Sequence, residues 1–202
     1  MGNLGSFLFR QRIRLDDFII TGIDIVRKLV RLLLISEPGT DAGQSDEIMD
    51  LDLQFEDSFT CFLQSLDKKY YLPFYWEDMY EVYSNLKKIV AILQTYSTEK
   101  RIYKIRFSFS HFFELEDRIL ENVLEFFRDY LSNRKYAGEL LKNNQHELKG
   151  FFRLYYQGIA SISREQARSH ITSRLLGILL EINTVNSAIQ DLLQKILIGT
   201  NL

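Results

Sequence analysis

The feature that most constrains the fold is a run near the C-terminal end. Ile171, Leu175, Ile178, Ile182, Val185, Ile189, Leu192 and Ile196 follow one another at alternating intervals of four and three residues. An α-helix turns about every 3.6 residues, so this spacing gathers the eight side chains onto one stripe. Leu176, Leu179 and Leu193 widen the stripe. Such a helix is expected to be buried along most of one side, in a bundle or at a subunit interface. It needs other apolar helices to cover it.

The rest of the chain supplies them. Ile19, Ile23, Val26, Val30 and Leu33 predict a first helix from Leu15 or Asp16 to Ser36, ended by Glu37, Pro38 and Gly39. Residues 37–46 read as a polar linker, with Ser45 or Asp46 capping a second helix that reaches about Tyr70. That helix carries Ile48, Leu51, Phe55, Phe59, Phe62 and Leu66, and Pro73 breaks it. Trp76, Glu77 and Asp78 open a third helix, with acids where the helix dipole favours negative charge. Met79, Val82, Leu86, Ile89, Leu93 and Tyr96 form its inward stripe, and Ser97 to Arg101 reads as the next corner. Phe109, Phe112, Ile119, Val123, Phe126 and Tyr130 predict a fourth helix ending near Ser132. Leu141, Leu148, Phe151 and Tyr155 predict a fifth, from Tyr136 to about Ile159. Gly158, Ser161 and Ser163 mark the last corner, Ser163 opening a capping-box-like S-x-x-Q.

Six helices with short corners make an all-α, up-and-down bundle. A faint internal echo divides it: GFFRLYYQGIASISREQ from Gly150 resembles SFTCFLQSLDKKYYLPF from Ser58. The expected organisation is one domain over residues 1–202, built from three-helix halves at about 15–97 and 104–198.

Charge and composition narrow the function. The formal net charge of −2 lacks the basic excess with which a general nucleic-acid binder neutralises phosphates. The single cysteine, Cys61, can form neither an internal disulfide nor a zinc cluster, so a cytoplasmic setting is expected. Beside Phe59, Phe62 and Leu63 it reads as a buried, inert thiol rather than a reactive one. The most apolar stretch, Phe18 to Ile35, is interrupted by Asp24, Arg27, Lys28 and Arg31, so no spanning helix and no secretory signal are expected. At the opening, Gly2 and Ser6 fit a myristoylation pattern, and Arg10, Arg12 and Arg14 could supply the electrostatic signal a single acyl chain needs. The favoured reading is a short amphipathic leader with a weak, unacylated attraction to an anionic membrane surface.

Catalytic patterns are scarce. Di-iron bundles use Glu-x-x-His pairs, whereas His111 and Glu114 stand in the reverse order. Glu114, Asp117, Glu121 and Glu125 form an acidic run, but Arg118 and Arg128 lie at pairing distance from Glu114 and Glu125, which makes a salt-bridged surface the better reading. His146 and His170 have no convergent partners in sequence. Tyr70, Tyr71, Phe74, Tyr75 and Trp76 read as the apolar cap of a hairpin rather than a base-stacking platform. The chain has no glycine-rich phosphate loop, G-x-S-x-G or H-E-x-x-H, so a non-enzymatic helical protein is expected.

The segment from Phe55 to Tyr96 carries a family resemblance. Asp57, the apolar helix to Leu66, the Leu72-Pro73 corner, Glu77-Asp78-Met79 and Leu86-x-x-Ile89 resemble the PhoU-like proteins, particularly the small stand-alone branch of phosphate transport regulators. That branch shows a Thr-Pro corner, Arg-Glu-Asp-Ile and a later Leu-Asp-Asp-Ile, on a PhoU/spectrin-repeat-like bundle of two three-helix halves. Its members bind multinuclear iron or zinc through Glu/Asp-x-x-x-Asp clusters. Here Leu72 replaces the threonine, Trp76 the arginine, and Lys87 and Lys88 the paired aspartates. Glu56 and Asp57 remain from the first cluster. In the second, Lys149 falls near the expected acid, with Glu147 and Glu181 close by.

Lysines where carboxylates would hold a cation repel it, so the metal sites are expected to be degenerate, with no cofactor retained. The resemblance implies a non-enzymatic regulator or accessory protein of inorganic phosphate transport. Its partner would be a phosphate transporter or another membrane protein at the cytosolic face, met through Glu77, Asp78, Lys87 and Lys88. The alternative is a helical oligomerisation or adaptor module whose sixth-helix seam binds another protein or a second copy.

Overall fold

The computed structural model describes residues 15–35, 41–66, 75–103, 108–132, 134–162 and 169–199. They form six helices: α1 (Leu15–Ile35), α2 (Asp41–Leu66), α3 (Trp76–Ile102), α4 (Ser110–Ser132), α5 (Ala137–Ile162) and α6 (Ser169–Gly199). Among the described residues there is no strand, and no helix is long and apolar enough to cross a membrane. The N-terminal glycine, serine and arginines singled out above, and the Leu72-Pro73 corner, lie outside the described residues.

The expected stripes are the surfaces that pack. Those of α1, α3 and α4 are buried throughout, with Ile19, Ile23, Met79, Val82, Ile119 and Phe126 fully enclosed. In the first half α1 packs on α2 and α3; in the second, α5 packs on α4 and α6. The helix that packs most on both others is thus α1 in the first half and α5 in the second, so α2 and α5 correspond in chain order, each second of three, but not in packing. The described parts of the two segments that echo each other in sequence, residues 58–66 and 150–162, form the C-terminal ends of α2 and α5. Contacts of α1 with α4 and of α3 with α6 join the halves into one continuous core.

Several boundaries differ from expectation. α2 begins at Asp41, inside the stretch read as linker. Ala42 and Gln44 are good helix formers, and a single interior Gly43 costs only about 1 kcal/mol. α3 runs through the expected Ser97–Arg101 corner to Ile102 because Glu99 turns inward and is held by the Arg174 guanidinium of α6, at 2.6 and 2.8 Å. The Tyr103 N–H, donating to the Glu99 carbonyl at 3.0 Å, closes the last turn. α5 extends to Ile162. Ser163, read as a cap, lies outside the described residues. At the α4–α5 corner Arg134 adopts φ 59°, and the Asp129 carboxylate accepts the Tyr136 and Ala137 N–H groups at 2.8 Å each. An acid at the end of one helix thus caps the start of the next.

Two side-chain expectations are corrected. Cys61 is exposed, not buried. Phe55 and Phe62 take the inward positions of α2, which leaves Cys61 on the face of Asp50, Gln54 and Asp57, all exposed. Tyr75 and Trp76, read as part of an apolar cap, are exposed as well. Asp78 and Met79 turn into the core, so Trp76 shares the outer face of α3 with exposed Tyr80, one turn on.

Gly22 of α1 lies against the Tyr83 ring of α3. A Cβ placed there would lie 2.9 Å from Cζ of Tyr83. Tyr83 has little room to yield. Its ring centroid is 5.1–5.2 Å from those of Phe55, Phe59 and Phe62, and its hydroxyl donates to the Ser58 Oγ at 2.6 Å. Gly→Ala inside a helix ordinarily gains up to about 1 kcal/mol. Here the clash is expected to win, with Gly22→Ala destabilising by roughly 1–3 kcal/mol and Gly22→Val by more. Denaturant midpoints test this; an unchanged or higher midpoint for Gly22→Ala would show that Tyr83 moves aside.

Candidate functional site

The hairpin of α2 and α3 gathers some of the sequence-predicted residues and separates others. Glu56 of α2 and Lys87 of α3 form an ion pair at 2.7 Å, and the Lys87 ammonium also lies 5.2 Å from the Phe59 ring centroid. Lys88 donates to the Asn85 Oδ1 at 2.9 Å. Asp57 and Glu77 are exposed, whereas Asp78 is buried and receives the Lys195 ammonium of α6 at 2.5 Å. Asp78 therefore ties α3 to α6, and of the four expected partner contacts Glu77, Lys87 and Lys88 face outward.

In the second half Glu147 of α5 pairs with Arg118 of α4 at 3.3 Å, and Glu181 is exposed on α6. Among the described residues no three His, Cys, Asp or Glu side chains converge on a point where a metal ion could sit. The donor set that remains does not fit the multinuclear iron or zinc of PhoU-like proteins. Glu56 and Glu147, two of the acids expected at such sites, are each matched by a protein cation from a neighbouring helix. The acidic run of α4 is likewise salt-bridged. Arg128 pairs with Glu125 as expected, but Arg118 prefers Glu147, and Glu114 meets His111 at 3.2 Å.

The most unusual chemistry was not anticipated. Glu116 of α4 is fully enclosed, and its Oε2 accepts the Asn186 Nδ2 of α6 at 2.6 Å. Its Oε1, the Asn186 Oδ1 and both amide atoms of Asn183 are buried without a hydrogen-bond partner. Burial pushes the Glu116 carboxyl up to about 8, against the lowering effect of the Asn186 hydrogen bond and with a further push from the Asp117 charge. At neutral pH the group is a neutral acid. Nearby, Asn144 of α5 donates to the Gln190 Oε1 of α6 at 2.8 Å, and the Gln190 amide donates to the Leu141 carbonyl at 3.1 Å.

Asp117, the next residue, faces the other way. It bridges Arg27 and Arg31 of α1 at 2.8 and 3.0 Å, and Arg27 also reaches Glu121 at 3.1 Å. Burial opposes its ionisation, but hydrogen bonds and charge from the two arginines prevail and hold the carboxyl below its ordinary value. Consecutive acids on α4 thus serve the two seams of the bundle, one neutral toward α6 and one charged toward α1.

The sequence does hold a trace of the polar core. Glu116 stands four residues after Phe112 and three before Ile119, on the apolar stripe itself. One residue behind the apolar row of α6 runs a second row at the same intervals: Thr172, Leu176, Leu179, Asn183, Asn186, Gln190, Leu193 and Leu197. All but Leu197 are buried.

No family model matches this chain, and no curated protein matches it at a significant level. The site must be read from its own geometry. Buried amides around a neutral acid fix how α4, α5 and α6 pack; paired charges fasten α1 to α4, α2 to α3 and α3 to α6.

Proposed function

We propose that the chain is a divergent PhoU-like protein, a non-enzymatic regulator or accessory of inorganic phosphate transport that works by protein contact at the cytosolic face of the membrane. The observation that carries this reading is the pairing of Glu56 with Lys87 across α2 and α3. In the family the resemblance points to, acids on these helices hold a metal. In this chain a lysine on one helix neutralises the acid on the other, so the hairpin is fastened with no metal required. Arg118 with Glu147 does the same between α4 and α5.

The expected result in the source organism is that deleting the gene alters phosphate uptake or phosphate-responsive expression. Both remaining at wild-type levels would sink the proposal. The adaptor reading through the α6 seam is less well supported, because Leu175, Ile182, Ile189 and Ile196 are buried in this chain's own core.

A further inference from the structure

The second helices of the two halves carry opposite charge on their outer faces. α2 contains seven acids and no lysine or arginine, whereas residues 134–162, α5 with its lead-in, contain five cations and two acids. On α2, Asp46, Asp50, Leu53, Asp57 and Thr60 recur at intervals of four and three, and all are exposed. On α5, Lys142, His146, Lys149, Arg153 and Tyr156 recur at the same intervals, and all are exposed. An apolar edge accompanies each row: Met49 and Leu53 on α2, Phe152, Tyr156 and Ile159 on α5, with Leu53 58% and Tyr156 68% exposed. Several other charges are tied into ion pairs, including Glu56, Lys87, Asp117 and Glu147. Asp46, Asp50, Asp57, Lys142, Lys149 and Arg153 take part in none among the described residues.

We propose that the acidic face of α2 docks on the basic face of α5 of a second copy of this chain. The two rows match in periodicity, are opposite in charge, and each brings exposed apolar side chains to the contact, the combination that sets partner and orientation between paired helices. Among the described residues α2 packs mainly on α1 and α3, and α5 mainly on α4 and α6, so the rows sit on separate halves. Used head to tail, the contact is heterologous and gives a ring or an open chain; used reciprocally between two copies, it closes a two-fold dimer. One helix pair buries less than a standard interface, so the association is weak and sensitive to salt. It is independent of whether phosphate transport is the process served.

Sedimentation velocity over a range of concentrations tests this with the intact chain. At about 0.05 M salt the mass is expected to rise with concentration, and at about 0.5 M salt the association is expected to weaken at least tenfold. Reversing one row, with Lys142→Glu, Lys149→Glu and Arg153→Glu together, should give a folded protein that stays monomeric. Reversing the other, with Asp46→Lys, Asp50→Lys and Asp57→Lys together, should do the same. Each reversed protein then carries like charges on both rows, but the two are complementary to each other, so mixing them should restore association. All six positions are exposed, and unchanged circular dichroism would confirm the fold. A wild-type protein monomeric at every salt and concentration would overturn the proposal, as would association indifferent to both reversals, or a mixture that fails to associate. A wild-type monomer that sediments with phosphatidylserine-containing vesicles through α5 would also overturn it, and would assign the basic row to a membrane.

Discussion

Ile182→Asp is expected to unfold the chain rather than to separate subunits. Ile182 lies midway along α6, is 1% exposed, and sits in the core that α6 shares with α3 and α5. The substitution removes a buried branched side chain, which costs about 2–5 kcal/mol by analogy with truncation to alanine. It also places in the same space a carboxylate with no cation to meet it, which adds several kcal/mol more. A domain of this size is held by only about 5–15 kcal/mol in total. Circular dichroism should therefore show lost helix, or a melting temperature lowered by many degrees, while Thr184→Asp, exposed on the same helix, should change little. A dimeric wild type turning into a folded monomer on Ile182→Asp would reverse the conclusion and make the α6 seam an interface.

The fold was largely readable because burial in a helical bundle is periodic. Apolar residues returning at three and four from Met79 to Tyr96 and from Phe109 to Tyr130 are all buried, while on α6 Ile171, Val185 and Leu192 of the expected stripe are only half-buried. What periodicity could not supply was the behaviour of polar residues on or beside the stripe. Whether Glu116 turns inward depends on Asn186, 70 residues further along the chain. The same holds for Arg118, whose expected partner Glu114 loses to Glu147 on the neighbouring helix, and for Glu99, which extends α3 past an apparent corner because Arg174 holds it. Cys61 was misread for a related reason: apolar neighbours in sequence are not neighbours on a helix, where residues one apart point about 100° away from each other. Of the expected site residues, Glu56 with Lys87 was brought together, Asp78 was drawn inside, and Asp57 and Glu181 were left facing solvent.

Glu116→Gln is expected to raise stability at alkaline pH and to flatten the dependence of stability on pH. The folded-state value of Glu116, about 8, stands above the ordinary 4.5. Between those values the unfolded chain has released a proton that the folded chain keeps, so stability falls as pH rises through this window and levels off above it. Each unit of such a shift is worth about 1.4 kcal/mol, which makes the cost at pH 8 several kcal/mol. Asp117 contributes in the opposite sense. Its folded-state value is held below 3.8, so its share of stability is present above that value and is lost as pH falls through the folded one. The wild type should then be most stable in mildly acidic solution and weaken on both sides. Glutamine keeps an oxygen for the Asn186 amide to donate to and has no charge to bury, so it removes the alkaline loss and leaves the acid loss in place. Melting temperatures from pH 4 to 9 should show the two proteins close together at the acid end and the variant several degrees higher at pH 8–9. Curves that run parallel across the whole range would mean that Glu116 is ionised within the fold and that a cation or donor beyond Asn186 stabilises its charge.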